Sequence, residues 1–492
     1  MSSQAALPAA TNRRVPAVWL GVVVGLSALV FGGLLGLAGP LITLGVLTAV
    51  GVAVWALTSL EIGLWGAIGI ITLLPFAALP FKLVFTPTFL DLAVGGTILV
   101  YLMQWMTGQR RRLALTPAHG PIVVFLALAV FSFVAGIPNG PLTPNLIRQF
   151  AELLINILLC FVVVDYLDTW EKLSRLARVI LLGGTAAAMI GIGFYLLPPD
   201  TANRLLNALS VFGYPGGAVL RYIEDDPANA QRAIGTAVDP NFFGGVLATI
   251  GGLLALQVLS SKPVLGSRWL SLGAFAVVVV CLVLTFSRGA MAGLAIGVGL
   301  MAVLRYRRLL LVMAAAGVVI LLLPATRDYV LHFAQGLQGQ DLATQMRFGE
   351  YKDALILIER YPALGVGFLG APEIDIYLGV SSAYLLIAEQ MGLVGLAVFV
   401  ISMSTVFVWS FSRRRWLYSA AQMPEGGAHL ALWLGAHAGL VAALAVGVVD
   451  HYFFELSFQP AGSLFWIFVG LCLAASRLAP AATANKDEAR SA

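Results

Sequence analysis

The fold class follows from residues 268–304, which read RWLSLGAFAVVVVCLVLTFSRGAMAGLAIGVGLMAVL. Arg288 is the only charged residue inside this stretch after Arg268, and it separates two apolar runs. Each run approaches the roughly 20 apolar residues that a bilayer-spanning helix needs. Strands of a membrane barrel would alternate polar and apolar residues over about 10 positions, which neither run does. The stretch therefore predicts two membrane-spanning helices joined by a very short turn.

The composition extends this interpretation to the whole chain. Of 492 residues, 60% are hydrophobic and only 11% are charged, whereas a soluble globular protein carries roughly 25% charged residues. This difference excludes a soluble enzyme, a nucleic-acid-binding protein and a disordered protein. The three cysteines, Cys160, Cys281 and Cys472, all lie in apolar runs, so the sequence predicts neither a disulfide framework nor a metal site.

Apolar runs bounded by charged residues, proline or glycine recur along the chain and predict about 14 membrane spans. They lie near 17–38, 40–60, 62–80, 89–107, 120–137, 147–164, 179–197, 240–260, 269–286, 289–304, 309–324, 383–411, 428–449 and 461–476. We therefore expect an all-α, polytopic membrane bundle, with a transmembrane domain at 17–476 and short tails at 1–16 and 477–492.

The basic residues predict the orientation of these spans. With alternating spans and the N-terminus in the cytoplasm, the compact clusters at 13–14, 110–112, 305–308 and 413–415 all fall on the cytoplasmic side. The positive-inside rule requires this pattern. Both tails are then cytoplasmic, and two long loops, about 198–239 and 325–382, face the exterior. Long structured loops are usually functional, so the exterior face is where we expect a site.

Two exterior motifs combine an arginine with a helix start. In the first, Asp239 and Asn241 bracket Pro240 after Arg232. A capped helix start explains Asp239 and Pro240, whereas a helix N-terminus beside Arg232 would also bind an anion. In the second, Arg288 sits between two apolar runs, where its guanidinium must either snorkel to water or bind an anionic ligand.

Two further exterior motifs carry candidate chemistry. Residues 347–362 predict an amphipathic helix that carries Arg347 and Tyr351 on one face and ends at Pro362. Asp450 and His451 are neighbours at the exit of the thirteenth predicted span. A histidine beside a carboxylate can act as a general base, although the pair could also be an ordinary solvated loop.

Together these motifs resemble the O-antigen ligase and polymerase family of bacterial membrane glycosyltransferases, over roughly residues 120–476. The resemblance is carried by Arg232, Gly235 and Asp239-Pro-Asn, by Ser287-Arg-Gly, by Arg347 ahead of Pro362-Ala-Leu-Gly-Val-Gly, and by Tyr384-Leu, Glu389 and Gly392-Leu-Val-Gly. It implies transfer or polymerisation of a glycan from a polyprenyl-pyrophosphate carrier, such as undecaprenyl pyrophosphate, at the outer face of the bacterial inner membrane. It implies no cofactor and no metal.

The resemblance also suggests roles for individual residues. Arg232, Arg288 and Arg347 would bind the pyrophosphate, because a guanidinium matches phosphate oxygens in a bidentate fork. Tyr351 and Tyr384 would contact the substrate. Many ligases carry a His-Asn pair three residues ahead of the Tyr-Leu, where this chain has Ser381 and Ser382. The base that removes the proton from the acceptor could therefore be Asp450, His451 or Asp239, and the sequence leaves these alternatives open.

The predicted partners are the carrier-linked glycan donor, a glycan or lipid-linked acceptor and membrane lipids. The oligomeric state, the sugar and the choice between ligase and polymerase remain open. A transporter or flippase of lipid-linked glycans is the main alternative. Transporters favour internal repeats and ionisable residues at mid-membrane, and here only Asp91, Glu389 and His437 qualify. A non-catalytic scaffold would not need arginines in three separate outer loops.

Overall fold

The computed structural model describes residues 59–82, 84–322, 342–370, 379–422 and 424–479, together with Gly32 and Gly36. The chain divides into two units, 1–58 and 59–492. In the first unit, Gly32 and Gly36 are helical. The predicted spans 17–38 and 40–60 otherwise lie almost wholly outside the described residues. So do residues 325–341 and 371–378 of the second exterior loop, the tail at 1–16, and 480–492 of the other tail.

The second unit is built almost entirely of helices. Before the strands of the first long loop they are α1 (Leu60–Leu73), α2 (Phe89–Met106), α3 (His119–Ala135), α4 (Pro144–Tyr166), α5 (Trp170–Leu196) and α6 (Pro199–Asn207), of which α6 lies within that loop. The loop carries the two-residue strands β1 (Arg221–Tyr222) and β2 (Gln231–Arg232), which pair antiparallel. After it come α7 (Pro240–Val258), α8 (Arg268–Leu284), α9 (Arg288–Leu304), α10 (Arg307–Leu322), α11 (Leu342–Arg360), α12 (Ala383–Ser412), α13 (Arg414–Ala420), α14 (Pro424–Val446) and α15 (Gln459–Leu478).

Helix starts follow the side chains that can cap them. Ser59, Thr88, Thr143, Thr169 and Asp239 each accept a hydrogen bond from a backbone N–H of the first turn. These bonds satisfy amide donors that have no partner within the helix. The apolar runs therefore set where helices occur, and short polar side chains set where they begin.

Two helices differ from the predicted spans in length. The run at 62–80 predicts a span, but α1 ends at Leu73, since Pro75 disfavours helical backbone at the residue before it. The run at 179–197 marks only the apolar part of α5, which begins at Trp170 behind the Thr169 cap. Its first turns carry charged residues, so a search for apolar runs alone misses them.

The mostly helical, membrane-type architecture is confirmed. Within the described residues, seven helical segments are long and apolar enough to cross a membrane, and four more apolar helices are shorter. The seven are Phe89–Met106, Pro144–Tyr166, Trp170–Leu196, Pro240–Val258, Ala383–Ala420, Glu425–Val446 and Leu456–Leu478. The four are Leu60–Leu73, His119–Ala135, Arg268–Leu284 and Arg288–Leu304. The total of about 14 spans stays a prediction.

One end of the bundle gathers segments that the basic clusters assign to the exterior. The Thr236 hydroxyl donates to the Leu73 carbonyl at 2.6 Å, which ties the first long loop to the end of α1. The Ala383 N–H donates to the Gly447 carbonyl at 2.8 Å, which ties the start of α12 to the end of α14. Segments that are distant in sequence are therefore joined at this end.

The opposite end gathers segments that the same clusters assign to the cytoplasm. Arg110, which follows α2, forms a 2.6 Å ion pair with Asp165 near the end of α4. Arg178 in α5 donates from Nε to the Val264 carbonyl, 3.0 Å away, before α8. The assignment of the two ends to the exterior and the cytoplasm stays a prediction from charge.

The centre of the bundle is formed by α7, α14 and α15, which are the most fully buried long helices. The α7 and α14 backbones approach closely at Gly252, where an added Cβ would lie 2.7 Å from the Gly439 nitrogen. Small residues permit such close packing between helices in membranes. The start of α7 and the end of α14 are therefore held in fixed relation, and both lead into the exterior surface.

The helix α12 is broken at Gly392, whose φ is 69°. At the break, the Val366 and Gly367 amides donate to the Glu389 and Gln390 carbonyls at 2.9 and 3.0 Å. The Leu393 amide donates to the Pro362 carbonyl at 2.7 Å. Backbone hydrogen bonds therefore fasten the turn at 362–367, which follows α11, into the gap in α12. We call this turn the docked turn.

Candidate active site

Arg232 is fixed at the junction of the first long loop with α7 and α8. Its Nε donates to the Thr285 carbonyl at 2.8 Å, and its Nη2 donates to the Asn241 side-chain oxygen at 2.5 Å. Next to it, the Ala233 N–H donates to the Leu284 carbonyl at 2.8 Å. Both groups that accept hydrogen bonds from the Arg232 guanidinium, a backbone carbonyl and a side-chain amide, are neutral. Within the described part of the chain, no carboxylate lies within ion-pair distance of Arg232.

The charge of Arg232 is therefore only partly offset. Burial lowers the pKa of Arg232, and the attraction of Asp239 opposes that effect, while Arg347 adds repulsion. A guanidinium remains protonated despite such a shift. A buried cation that is hydrogen-bonded to neutral groups and repelled by a second cation favours an anionic ligand.

Asp239 caps α7 and is committed to three hydrogen bonds. Its Oδ1 accepts from the Asn241 and Phe242 amides at 2.9 and 2.7 Å and from the Tyr452 hydroxyl at 2.9 Å. Burial raises the pKa of Tyr452, so this hydroxyl stays protonated and remains a donor. Val238, just before the cap, has a φ of 63°, which is rare for a β-branched residue. Such strain concentrates at functional sites.

Asp450 and His451 lie in the turn after α14, beside this cap. Burial raises the pKa of the Asp450 carboxyl to about 8, while attraction by Arg347 works in the opposite direction. One of its oxygens accepts from the His451 amide at 3.0 Å. Burial lowers the pKa of His451, and its buried Nδ1 has no hydrogen-bond partner among the residues that the structure describes. His451 thus offers a neutral imidazole.

Arg347 reaches the same region from α11. Its charge acts on Arg232, Asp450 and His451, as the causes of their pKa shifts show. One turn further along α11, the Tyr351 hydroxyl donates to the Ser381 carbonyl at 3.1 Å. The preceding Glu350 accepts from the Ser381 amide at 2.9 Å, so α11 is held against the start of α12.

Arg288 is close to this group along the backbone. It begins α9, three residues after Thr285, whose carbonyl accepts from Arg232. The intervening Phe286 has a φ of 53°, the second strained residue beside the group. The turn between α8 and α9 therefore contacts the first long loop through the hydrogen bond from Arg232, in β2, to the Thr285 carbonyl.

The structure separates the predicted residues into three sets. Arg232, Arg347, Asp239, Asp450 and His451 lie in one electrostatically connected group, which we call the outer cluster. Arg288 and Tyr351 lie at its margins. Tyr384 points elsewhere, because its hydroxyl donates to the Leu444 carbonyl of α14 at 2.8 Å and its ring packs on Phe399.

Three further residues hold the site together although their sequence context predicts no role for them: Asn241, Tyr452 and Glu350. Asn241 holds the Arg232 guanidinium, Tyr452 joins the Asp450 turn to the α7 cap, and Glu350 holds the backbone of Ser381. The clue for Asn241 was its position two residues after a helix cap, where a second amide is not needed for capping. Tyr452 and Glu350 gave no comparable clue.

A small cavity of about 30 Å³ adjoins the outer cluster. Asp450 and Tyr452 line it together with apolar side chains of α7, α14 and α15, including Phe242, Val246 and Phe465. The cavity has room for about one water molecule. No group of three or more His, Cys, Asp or Glu that could hold a metal occurs within the described ranges.

Comparison with known proteins finds a family match for one part of the chain. Residues 273–400 match the family model described as O-antigen ligase. The match runs from within α8 to within α12 and includes Arg288, Arg347 and Tyr351, whereas Arg232 and Asp450 lie outside it. No curated protein matches the chain. Together with the apolar helices, the match indicates a multi-pass bacterial inner-membrane protein of O-antigen biosynthesis and a glycosyltransferase-type enzyme. The resemblance seen in the motifs is thereby confirmed over residues 273–400, which are similar to the O-antigen ligase family.

Proposed function

We propose that the protein transfers or polymerises a glycan from a polyprenyl-pyrophosphate carrier at the outer face of the inner membrane. The observation that carries this proposal is Arg232, a half-buried cation whose hydrogen-bond partners are neutral and which is repelled by the charge of Arg347. Pyrophosphate is a compact polyanion that would offset both charges. Preorganised cations would also stabilise the charge that develops on this leaving group.

Each step of the reaction has a candidate group in the outer cluster. The acceptor hydroxyl attacks the anomeric carbon, and the bond from that carbon to the pyrophosphate oxygen breaks. The electron pair leaves with the pyrophosphate, which Arg232, Arg347 and Arg288 would hold. Tyr351, on the same helix as Arg347, would contact the substrate beside the pyrophosphate. Tyr384 would contact the substrate as well; since both hydroxyls already donate to backbone carbonyls, those of Ser381 and Leu444, the contact would be made by the rings.

The proton of the acceptor would pass to Asp450 or His451. Asp239 is the weaker candidate, because its carboxylate already accepts hydrogen bonds from Asn241, Phe242 and Tyr452. The Nδ1 of His451 forms no hydrogen bond within the described residues, and Asp450 lies beside it. A general base must be free to receive the proton that it abstracts. The cluster therefore supports Asp450 and His451 over Asp239.

The proposal includes a topology and a domain arrangement. The transmembrane glycosyltransferase domain would span 17–476 with about 14 helices, with its ligase-like core at about 120–476 and cytoplasmic tails at 1–16 and 477–492. Reporter fusions after Arg112, Arg308 and Arg415 should then report the cytoplasm, and a fusion near residue 340 should report the periplasm. An opposite result at any of these sites would contradict the topology.

An in vitro transfer assay tests the proposed activity. The purified protein is supplied with a polyprenyl-pyrophosphate glycan, and Arg347→Ala and Arg288→Ala are compared with Arg204→Ala. Arg204 is an exposed arginine of the first long loop, outside the outer cluster, and serves as the matched control. We expect transfer to fall in the first two variants and to persist in the control. Normal transfer by Arg347→Ala would exclude its role in pyrophosphate binding.

A deletion strain separates the transferase from a flippase. Loss of a transferase should leave the carrier-linked glycan at the outer face, whereas loss of a flippase should retain it inside. The observation that favours a transferase is that the outer cluster lies at one end of the bundle, whereas a transporter site is expected near its middle. Retention of the glycan inside the cell would reverse this preference.

A further inference from the structure

A second cationic site lies at the other end of α9 from Arg288. A cavity of about 500 Å³ opens where α9 ends, α10 begins and α7 has just ended. Arg305, Arg307 and Arg308 line it, and all three side chains are exposed. None of the three forms an ion pair with a carboxylate among the residues that the structure describes. The cavity therefore carries uncompensated positive charge.

The cavity is also apolar on one side. Val303, Leu304 and Val312 line it beside the arginines, and 52, 39 and 62% of their surfaces are exposed. Exposed aliphatic side chains beside exposed guanidinium groups suit a ligand with both an anionic and a hydrocarbon part. A free inorganic anion would make no use of the aliphatic side chains.

Arg305 is held in position for such a ligand. Its guanidinium carbon lies 5.9 Å from the centre of the Tyr306 ring and 5.8 Å from that of Tyr418 in α13. An arginine over an aromatic face keeps its charge and its N–H donors. Less freedom is then lost when the guanidinium binds a phosphate.

The depth of the cavity relative to the membrane also fits a lipid headgroup. Arg288 and Leu304 are the first and last of the 17 residues of α9, whose length separates them. At the helical rise this is about 25 Å, close to the roughly 30 Å thickness of the hydrocarbon core of a bilayer. With Arg288 near one membrane surface, the arginines at 305–308 lie near the other.

We propose that this cavity binds the phosphate headgroup of an anionic phospholipid, with the acyl chains along Val303, Leu304 and Val312. Basic pockets between membrane helices bind such headgroups. The site is independent of the outer cluster and does not rest on the proposed transfer reaction.

Native mass spectrometry and thermal unfolding of the purified full chain test the proposal. The probes are phosphatidylglycerol, phosphatidylcholine with the same acyl chains, and inorganic phosphate. We expect phosphatidylglycerol to remain bound and to raise the Tm, whereas phosphatidylcholine and phosphate do neither. An equal rise in Tm with inorganic phosphate would show that the cavity binds any anion and would overturn the lipid site. An equal rise with phosphatidylcholine would show that the cavity does not recognise the negative charge of the headgroup.

Variants localise the effect. Arg307→Gln should weaken phosphatidylglycerol binding by about fivefold, and the triple change Arg305→Gln, Arg307→Gln and Arg308→Gln by about a hundredfold. The matched control is Arg111→Gln with Arg112→Gln, a pair of exposed arginines in another basic cluster. The single variant keeps the test valid if the triple variant does not fold. Unchanged binding in the single variant, or an equal loss in the control, would overturn the proposal.

Discussion

Arg148 and Arg232 are both largely buried and both belong to the end of the bundle that we assign to the exterior, but they differ in their partners. Arg148, in the second turn of α4, forms ion pairs with Asp91 at 3.0 Å and with Glu152. Its side chain and that of Asp91 are only 14 and 16% exposed. Two carboxylates therefore surround one guanidinium and join α2 to α4.

Arg232 instead donates to a backbone carbonyl and to the neutral side chain of Asn241. The sequence gives no way to distinguish the two arginines, since each is a single basic residue near a predicted span. The difference lies in the partners. The carboxylates around Arg148 offset its charge, whereas the neutral acceptors of Arg232 do not, which is why we propose a ligand-binding role for Arg232 alone.

The largest expected effect is on stability at Arg148. Arg148→Ala would leave Asp91 and Glu152 together without their cation, and breaking a buried pair costs about 3–5 kcal/mol. We expect a marked fall in the Tm of the purified protein. The additional changes Asp91→Asn and Glu152→Gln should restore part of it. An Arg148→Ala protein with the Tm of the wild type would show that the ion pairs do not hold α2 to α4.

The second effect is on activity at Arg232. Arg232→Ala should lower transfer by about 10- to 150-fold, because a lost hydrogen bond to a charged group costs about 1.5–3 kcal/mol. The Tm should change less than in Arg148→Ala. Arg232→Lys should recover only part of the transfer, since a lysine cannot reproduce the planar fork. A Tm loss equal to that of Arg148→Ala, with normal specific activity, would make Arg232 a structural residue too.

The third effect is on the pH dependence of transfer, which distinguishes Asp450 from His451 as the general base. The pKa of the Asp450 carboxyl is raised to about 8, so the carboxylate becomes scarcer below that pH. If Asp450 is the base, kcat/KM should fall by up to about tenfold per pH unit below 8. If His451 is the base, its lowered pKa leaves the imidazole neutral, and the profile should be flat near pH 7. The assay is a pH–rate profile of the wild type.

The raised pKa of Asp450 also makes the stability of the folded protein depend on pH, and stability falls over the pH range in which activity through Asp450 would rise. A pKa raised in the folded state means that the unfolded chain releases this proton near pH 4, whereas the folded protein keeps it until about pH 8. The contribution of Asp450 to stability is therefore present below pH 4 and is lost as pH rises toward 8. Between pH 5 and 8, the Tm of Asp450→Asn should fall by less than the Tm of the wild type. An identical decline in both proteins would contradict the buried environment of Asp450.

The smallest effect is expected at Tyr452. Tyr452→Phe removes the hydroxyl that donates to Asp239 at 2.9 Å but keeps the ring, which packs against Phe242 and Phe458. A net loss of about 1 kcal/mol of stability is expected for one such bond. Transfer should remain within a fewfold of normal. A loss as large as that of Arg232→Ala would place this hydroxyl in the reaction.

Much of the fold was predictable from the sequence because long apolar runs are a local signal. Ten helices, from α2 to α15, match predicted spans to within a few residues at most ends, and the exceptions, α1 and α5, depend on Pro75 and Thr169. The break at Gly392 was not predicted. It depends on the docked turn, which meets α12 only after the chain has folded.

The site was predictable in its residue types but not in its connections. The sequence singled out Arg232, Asp239 and Asp450 from their side of the membrane and their charge. The bond between Tyr452 and Asp239 joins residues 213 positions apart, and the neutral partners of Arg232 are equally a matter of packing. Tyr384 was selected by a motif, and its hydrogen bond to the Leu444 carbonyl of α14 likewise depends on packing; its role as a substrate contact stays a prediction.

The docked turn has a consequence for how this protein can diverge in evolution. Its bonds to α12 run between backbone atoms, so they do not depend on which side chains the turn carries. Ala363 and Leu364 are exposed within it, whereas Gly365 and Gly392 adopt left-handed backbone at close approach to other main-chain atoms. Mutations at the first pair should be nearly neutral and can accumulate without moving α11. Natural variation in the turn is therefore expected to concentrate at these two positions, while the two glycines stay under strong selection.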